Sequence, residues 1–203
     1  VLRIEGWGED SYLGAAEDGR HYVVVRFEED SVNLVLKLID AEENRVINTS
    51  STLAYSGTTR RGTPLLEDAE VFAHANGWWV VYVVRYRDDP FGGAVESFYQ
   101  VSFLRFNAAG EPIGDFVLVQ DDAREYEADA LGERLGVRIG RTVREYGIDG
   151  ALIRSFELTR PEGGWSRYMS MAATPEGWMM AFNTAVRQRI RYTRTQRWVD
   201  GEP

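Results

Sequence analysis

Hydrophobic and polar residues alternate along most of the chain, most clearly between residues 68 and 120. The apolar segments there read AEVFAHANG, WWVVYVVRY, SFYQVSFLRFN and GDFVLVQ, and the turn AAGEP precedes the last of them. A period of two with many β-branched and aromatic residues predicts strands, and Asn76-Gly77 and Gly110 supply turn residues between them. Periodicity typical of helices is nearly absent, so we expect an all-β fold.

The same succession of strands and turns recurs four times, at about residues 11–50, 68–120, 128–158 and 168–203. A glycine is expected to open the second strand of each copy, at Gly19, Gly77, Gly136 and Gly177, and subtraction gives spacings of 58, 59 and 41 residues. Repeats of this length are typical of β-propellers, in which each blade is a four-stranded sheet.

The two ends of the chain predict how the repeats close. In the second copy Gly110-Glu111-Pro112 is followed by an apolar strand, whereas in the fourth Gly201-Glu202-Pro203 is followed by nothing. We expect the β-prone residues 1–4 to supply the missing strand, because a sheet that joins both ends of the chain closes the ring without exposed edges. The predicted architecture is one domain, residues 1–203, forming a four-bladed β-propeller whose last blade combines residues 168–203 with residues 1–6.

The repeat also resembles a known class of proteins. The pattern A-x-x-G-x-x-V-V, followed by an alternating strand and by x-x-G-E-P before an apolar strand, resembles the repeats of bacterial secreted β-propellers. It is plainest at residues 75–119 and recognisable at residues 172–203 and 16–47. A hemopexin-like four-bladed domain is a rival resemblance, although its usual disulfide is impossible in a chain without cysteine. The resemblance implies a propeller that is secreted or held at the cell surface, and it implies no shared catalytic motif.

Composition narrows the class of partner. The 203 residues carry a formal net charge of −9, which argues against a nucleic-acid binder held by phosphate neutralisation. No apolar run is long enough to span a bilayer, so we expect no membrane insertion. The lack of cysteine excludes thiol nucleophiles, and the only two histidines, His21 and His74, belong to no zinc-binding motif.

Loop length predicts where a ligand binds. Short turns such as residues 41–44 and 108–112 are expected at one face, and longer segments such as residues 49–67 and 87–96 at the other. Long, dissimilar loops on a rigid scaffold are typical of a binding surface. The acidic and aromatic residues of these loops are the candidate ligand-binding residues: Trp7, Asp88, Asp89, Phe91, Asp121, Asp122 and Trp165. Converging carboxylates are also the ligands that Ca²⁺ prefers, although no D-x-D-x-D-G loop is present, so calcium is the candidate cofactor.

The expected function is a non-catalytic binding module that recognises a protein or carbohydrate ligand through its loop-rich acidic and aromatic face. Two alternatives remain open. A carbohydrate-active enzyme would use carboxylates at the mouth of the channel, with Glu70, Asp129 and Asp122 as candidates. A structural or assembly domain of a larger secreted protein would need no such site. No nucleophile elbow or catalytic metal motif is present, so no catalytic residue is assigned.

Overall fold

The protein is described here by a computed structural model that covers residues 12–16, 19–27, 33–54, 63–88, 96–158, 169–186 and 190–198. The regular secondary structure in these ranges consists of β-strands alone, and the strands form four antiparallel sheets. The predicted all-β fold class with four antiparallel sheets is therefore confirmed. None of the described residues forms a helix that would be long and apolar enough to cross a membrane.

The chain divides into two compact units, and the first, Val1–Arg124, contains two four-stranded sheets. Each strand pairs with its neighbours in sequence, so consecutive antiparallel strands are joined by turns or loops rather than by crossovers. Sheet 1 consists of β1 (Tyr12–Ala15), β2 (His21–Phe27), β3 (Asn33–Asp40) and β4 (Arg45–Leu53). Sheet 2 consists of β5 (Thr63–His74), β6 (Gly77–Asp88), β7 (Glu96–Asn107) and β8 (Val117–Asp121).

The second unit, Glu125–Pro203, repeats this meander. Its two sheets have four strands and, among the described residues, three strands. Sheet 3 consists of β9 (Glu127–Leu131), β10 (Arg134–Ile139), β11 (Thr142–Gly147) and β12 (Leu152–Glu157). Sheet 4 consists of β13 (Met169–Thr174), β14 (Gly177–Val186) and β15 (Ile190–Trp198).

Burial is greatest in the middle strands of the sheets and falls toward their edges. In β6 both faces are buried, since the neighbours Trp78 and Trp79 point to opposite sides and are only 3% and 0% exposed. The outer strand β4, with the sequence RVINTSSTL, is half-buried or exposed at every position. Polar residues on such an edge strand discourage pairing with another chain.

Sheets 1 and 2 pack against each other through one hydrophobic core. Its members come from the middle strands of both sheets and include Val23, Leu36 and Leu38 from sheet 1 and Trp78, Val80 and Tyr82 from sheet 2. Sheets 1 and 2 also meet at Gly14, where a Cβ atom would collide with the side chain of Val71. The buried hydroxyl of Tyr82 donates a 2.7 Å hydrogen bond to the carbonyl of Ala54, which follows β4.

Sheets 3 and 4 pack around the indole of Trp178 on β14. A Cβ atom on Gly136 of β10 would lie 2.5 Å from the Trp178 ring, so this contact requires glycine. Met171, Met180, Val143 and Leu158 complete the buried cluster around the indole.

Three details of the predicted strand boundaries are wrong. Residues 49–67 are not one loop, because β4 continues to Leu53 opposite Asn33 and β5 begins at Thr63. Residues 87–96 likewise extend β6 and β7 at both ends of the expected loop. Gly136 lies inside β10, and the turn before β10 contains Gly132 instead. Residues 1–4, expected to close the last sheet, lie outside the described residues.

Candidate functional site

Only some of the predicted ligand-binding residues lie in the part of the chain that the structure describes. Trp7, Asp89, Phe91 and Trp165 lie outside the described residues, so their placement stays a prediction. Asp121 is the last residue of β8 and Asp122 follows it, and both are exposed.

Asp88 and Asp121 belong to the same end of sheet 2 but do not meet. Asp121 pairs with Gln100, and Gln100 pairs with Val84, four residues before Asp88 on β6. The β6–β7 hairpin therefore carries Asp88 roughly 13 Å beyond the level of Asp121, at about 3.3 Å per residue. Asp122 adopts φ 56°, a left-handed conformation that Asp tolerates better than most residues and that ends the strand.

A cluster that was not predicted as a unit lies at this end of sheet 2. Arg85 Nε lies 3.3 Å from one carboxylate oxygen of Glu67, and Arg124 Nη2 lies 3.8 Å from the other. The guanidinium carbon of Arg124 lies 5.3 Å from the ring centroid of Tyr99, within the range of a cation–π contact. Gln100 Nε2 is 3.4 Å from Asp121 Oδ1 at the edge of the cluster. We call this set of side chains, Glu67, Arg85, Tyr99, Arg124, Asp121 and Asp122, the loop-end surface.

The loop-end surface combines charges of both signs. The two arginines offset Glu67, and the exposed Asp121 and Asp122 leave a small negative excess. Among the residues that the structure describes, no group of three or more His, Asp or Glu side chains could hold a metal ion. Calcium stays a prediction, because Asp89 and the acidic residues 28–30 lie outside those ranges.

The described part of the first unit also contains a cavity at the opposite end of sheets 1 and 2. Its volume is about 320 Å³, and its walls come from the turns at the ends of β1, β5 and β7. Both histidines of the chain, His21 and His74, line it together with Trp78, Gly77 and four alanines. We call it the turn-end cavity.

The conformation of His74 is held by its own turn. The Asn76 N–H donates to His74 Nδ1 at 3.2 Å, so the neutral imidazole carries its proton on Nε2. The His74 ring also packs on Trp79, with the ring centroids 4.3 Å apart. The sequence predicted no site at the two histidines, and the cavity was therefore missed. The available signal was their position, since one begins the second strand of sheet 1 and the other ends the first strand of sheet 2.

A different arrangement occupies the equivalent place in the second unit. His21 and Arg134 each lie two residues after a left-handed turn glycine and each begin the second strand of a sheet. Arg134 Nη2 lies 3.4 Å from the carbonyl oxygens of Thr174 and Pro175, in the turn between β13 and β14. A guanidinium group thus reaches across to the neighbouring sheet where the first unit has an imidazole and a cavity.

Arg134 belongs to a buried polar network centred on Glu145. The Glu145 side chain is 3% exposed and accepts hydrogen bonds from Trp178 Nε1 at 2.8 Å and Arg154 Nε at 2.9 Å. Arg134 Nη1 lies 3.5 Å from the other carboxylate oxygen. All three donors point at one carboxylate, so the network fixes how sheets 3 and 4 pack.

Asp129, one of the acids considered for catalysis, accepts hydrogen bonds from backbone N–H groups at a sheet edge. Its Oδ2 accepts the Ala173 N–H of β13 at 2.7 Å, and its Oδ1 accepts the Ala130 N–H at 2.8 Å. Glu127 on the same strand accepts a backbone hydrogen bond from Met171, and burial raises the pKa of this carboxyl. These two carboxylates therefore satisfy backbone donors on the edge strand β13, which would otherwise lack partners from its own sheet.

Comparison with known proteins bears on the fold. No protein-family model matches the sequence, and no curated protein is significantly similar to it. A chain of Kuenenia stuttgartiensis hydrazine synthase is similar in structure, with a TM-score of 0.52 and 14% sequence identity. The fold is β-propeller-like. The match covers 94% of this chain but only 58% of the neighbour's length, and at this identity it shows the fold alone.

Proposed function

We propose that this chain is a non-catalytic binding module on a four-bladed β-propeller, and that its loop-end surface recognises a protein ligand. In this proposal the four sheets form one ring, and residues 1–4 complete sheet 4 as a fourth strand. Sheets 1 to 3 have four strands each, whereas sheet 4 has three among the described residues, which supports that closure. The resemblance of the repeats to secreted β-propellers supports a location outside the cell or at its surface.

The observation that carries the proposal is the pairing of Tyr99 with Arg124. Tyrosine and arginine are enriched among the residues that contribute most to protein–protein binding. Tyr99 lies on β7, where it pairs with Arg85 of β6, and Arg124 remains 64% exposed on its side chain while contacting the ring and Glu67. The pair is therefore partly ordered before a ligand arrives, which reduces the entropy lost on binding.

The same geometry favours a protein over a carbohydrate. A sugar ring that stacked on Tyr99 would need an aromatic face, and the Arg124 guanidinium covers one face of that ring. The exposed carboxylates of Asp121 and Asp122 add negative charge beside the pair. Complementary charge raises association rates and selects partners, so we expect a ligand with basic residues next to an apolar or aromatic one.

Selection from a displayed random-peptide library, run in parallel with a glycan array, tests this proposal. Peptides enriched on the wild-type protein are synthesised and titrated against the Tyr99→Ala and Arg124→Ala variants. Arg45→Ala is the matched control, because Arg45 is equally exposed at 64% of its side chain but is the first residue of β4 in sheet 1. We expect each loop-end variant to weaken binding by about tenfold or more, which is about 1.4 kcal/mol, and the control to leave it unchanged.

Two results would overturn the proposal. One is a set of enriched peptides whose affinity is the same for the wild type and both loop-end variants. The other is a glycan array with specific hits while the peptide library yields none. Thermal unfolding of each variant separates lost binding from lost folding.

A further inference from the structure

We propose that the turn-end cavity of the first unit is a binding site for a guanidinium group, in which the ligand occupies the place that Arg134 fills in the second unit. This site lies at the other end of sheet 2 from the loop-end surface and is independent of the function proposed for that surface.

The second unit supplies the template for the bound state. Arg134 begins β10 and directs its guanidinium to the β13–β14 turn, 3.4 Å from the Thr174 and Pro175 carbonyl oxygens. The chain itself therefore uses a guanidinium group, which also lies 3.5 Å from the Glu145 carboxylate, to bridge the second strand of one sheet and the first turn of the next.

The first unit has the same backbone positions but a shorter side chain. His21 begins β2 as Arg134 begins β10. His74 and Ala75 end β5 and open its turn, as Thr174 and Pro175 do for β13. Imidazole cannot extend as far as an arginine side chain, and a cavity of about 320 Å³ lies at this position, lined by His21, His74 and Ala75.

The walls of the cavity suit a planar cation. The small side chains of the alanines at positions 16, 73, 75 and 108 leave this space unfilled. The other lining residues include His21, His74 and Trp78, which carry rings. Guanidinium groups stack on aromatic faces and donate several hydrogen bonds in their own plane. A volume above about 300 Å³ is within the range of small-molecule sites.

Charge also favours a cation over an anion. The chain has a formal net charge of −9, so its long-range field attracts cations and repels phosphate or carboxylate ligands. Two sources share the guanidinium chemistry, namely an arginine side chain of a protein partner and a free guanidinium compound.

Nuclear magnetic resonance of the two histidines gives a direct test. His21 and His74 are the only histidines in the chain, so two sets of imidazole signals report on the cavity without ambiguity. The probes are methylguanidinium, the peptide Gly-Gly-Arg-Gly-Gly and, as a neutral molecule of similar shape, methylurea. We expect saturable shifts of both imidazoles with the two guanidinium probes and none with methylurea.

Two variants test the position of the ligand. His21→Arg supplies an internal guanidinium at the position equivalent to Arg134, so we expect binding about tenfold weaker or lost, without a lower melting temperature. Ala108→Leu narrows the cavity without changing either histidine and should also weaken binding. Ala109→Leu is the matched control, because Ala109 is the exposed neighbour and does not line the cavity.

The relative affinities of the probes distinguish the two sources. A peptide that binds about tenfold more tightly than methylguanidinium assigns the site to an arginine of a protein partner, and equal affinities assign it to a free guanidinium compound. The proposal is overturned if neither guanidinium probe gives a saturable shift at concentrations that leave the protein folded. It is also overturned if methylurea matches methylguanidinium, or if both cavity variants bind as the wild type does.

Discussion

Replacing Glu145 by leucine tests whether the buried carboxylate holds sheets 3 and 4 together. Register places Glu145 opposite Gly136 on β10, and Leu38 occupies the equivalent position of sheet 1, opposite Val23. The chain therefore already has leucine at the equivalent position of another sheet. Leucine has a volume similar to that of glutamate but carries no hydrogen-bond acceptor. We expect the variant to fold and to be less stable.

The magnitude follows from the donors that lose their acceptor. The indole N–H of Trp178 is buried and would be left unsatisfied, which costs about 1–3 kcal/mol. Removing one partner of a fully buried ion pair costs about 3–5 kcal/mol, but Arg154 and Arg134 are 26% and 31% exposed and can turn toward water. We therefore expect Glu145→Leu to lower the free energy of unfolding by about 3 kcal/mol in total. Glu145→Gln keeps an acceptor for the indole and should cost about 1 kcal/mol.

Urea unfolding followed by tryptophan fluorescence measures these losses, and a double-mutant cycle with Trp178→Phe isolates the indole hydrogen bond. Phenylalanine has no N–H, so the cost of Glu145→Leu should shrink by about 1–2 kcal/mol when it is introduced into the Trp178→Phe variant. A Leu variant as stable as the Gln variant would refute the reasoning. An additive cycle would show that the hydrogen bond at 2.8 Å contributes nothing to stability.

Two further predictions concern packing and pH. Gly136→Ala should destabilise the protein by about 1–3 kcal/mol, because its Cβ would lie 2.5 Å from the buried Trp178 ring. Thermal unfolding measures this loss. Gly147→Ala is the control and should have a much smaller effect, because its Cβ would meet only side-chain atoms of neighbouring residues. A hydrogen bond from Arg20 lowers the pKa of Asp40 to about 2, below its unfolded value near 4, so its stabilising effect is complete above about pH 4 and disappears as the pH falls toward 2. The difference in urea stability between the wild type and Asp40→Asn should therefore narrow over that window, and a difference that is constant with pH would contradict the assignment.

Runs of apolar, β-branched and aromatic residues predicted the middle strands well, because both faces of these strands are buried. In β6, Trp78 and Trp79 show this most clearly, since each face of the strand is covered and every position is apolar or aromatic up to Val84. The outer strand β4 was predicted only from its place at the end of the first repeat, and its last residues, up to Leu53, were missed. Its sequence RVINTSSTL has no buried face, and its extended shape depends on pairing with β3, a contact that local sequence does not encode.

The candidate site was harder to predict because it depends on which residues meet across strands. Asp121 was predicted as a ligand-binding residue on its acidity, yet Tyr99 and Arg124 define the surface beside it through a contact between β7 and the segment after β8. The turn-end cavity arises from small side chains contributed by three separate turns. An alanine in a turn gives no sequence pattern that indicates a cavity, so the space is visible only once the sheets are packed.

Two positions differ between the units at the interface where the first unit contains a cavity. Arg134 Nη1 lies 3.5 Å from Glu145, so this ion pair adds to the hydrogen bonds that Trp178 and Arg154 donate to the same carboxylate. In sheet 1 the equivalent residues are His21 and Leu38, and both charges are absent together.

Two features of the first unit accompany the absence of that ion pair. Trp78, the counterpart of Trp178, has an indole N–H with no hydrogen-bond partner among the described residues. The space where a guanidinium would lie forms the turn-end cavity instead. A buried donor without an acceptor costs about 1–3 kcal/mol, so at this interface the first unit lacks a stabilising contact that the second unit has.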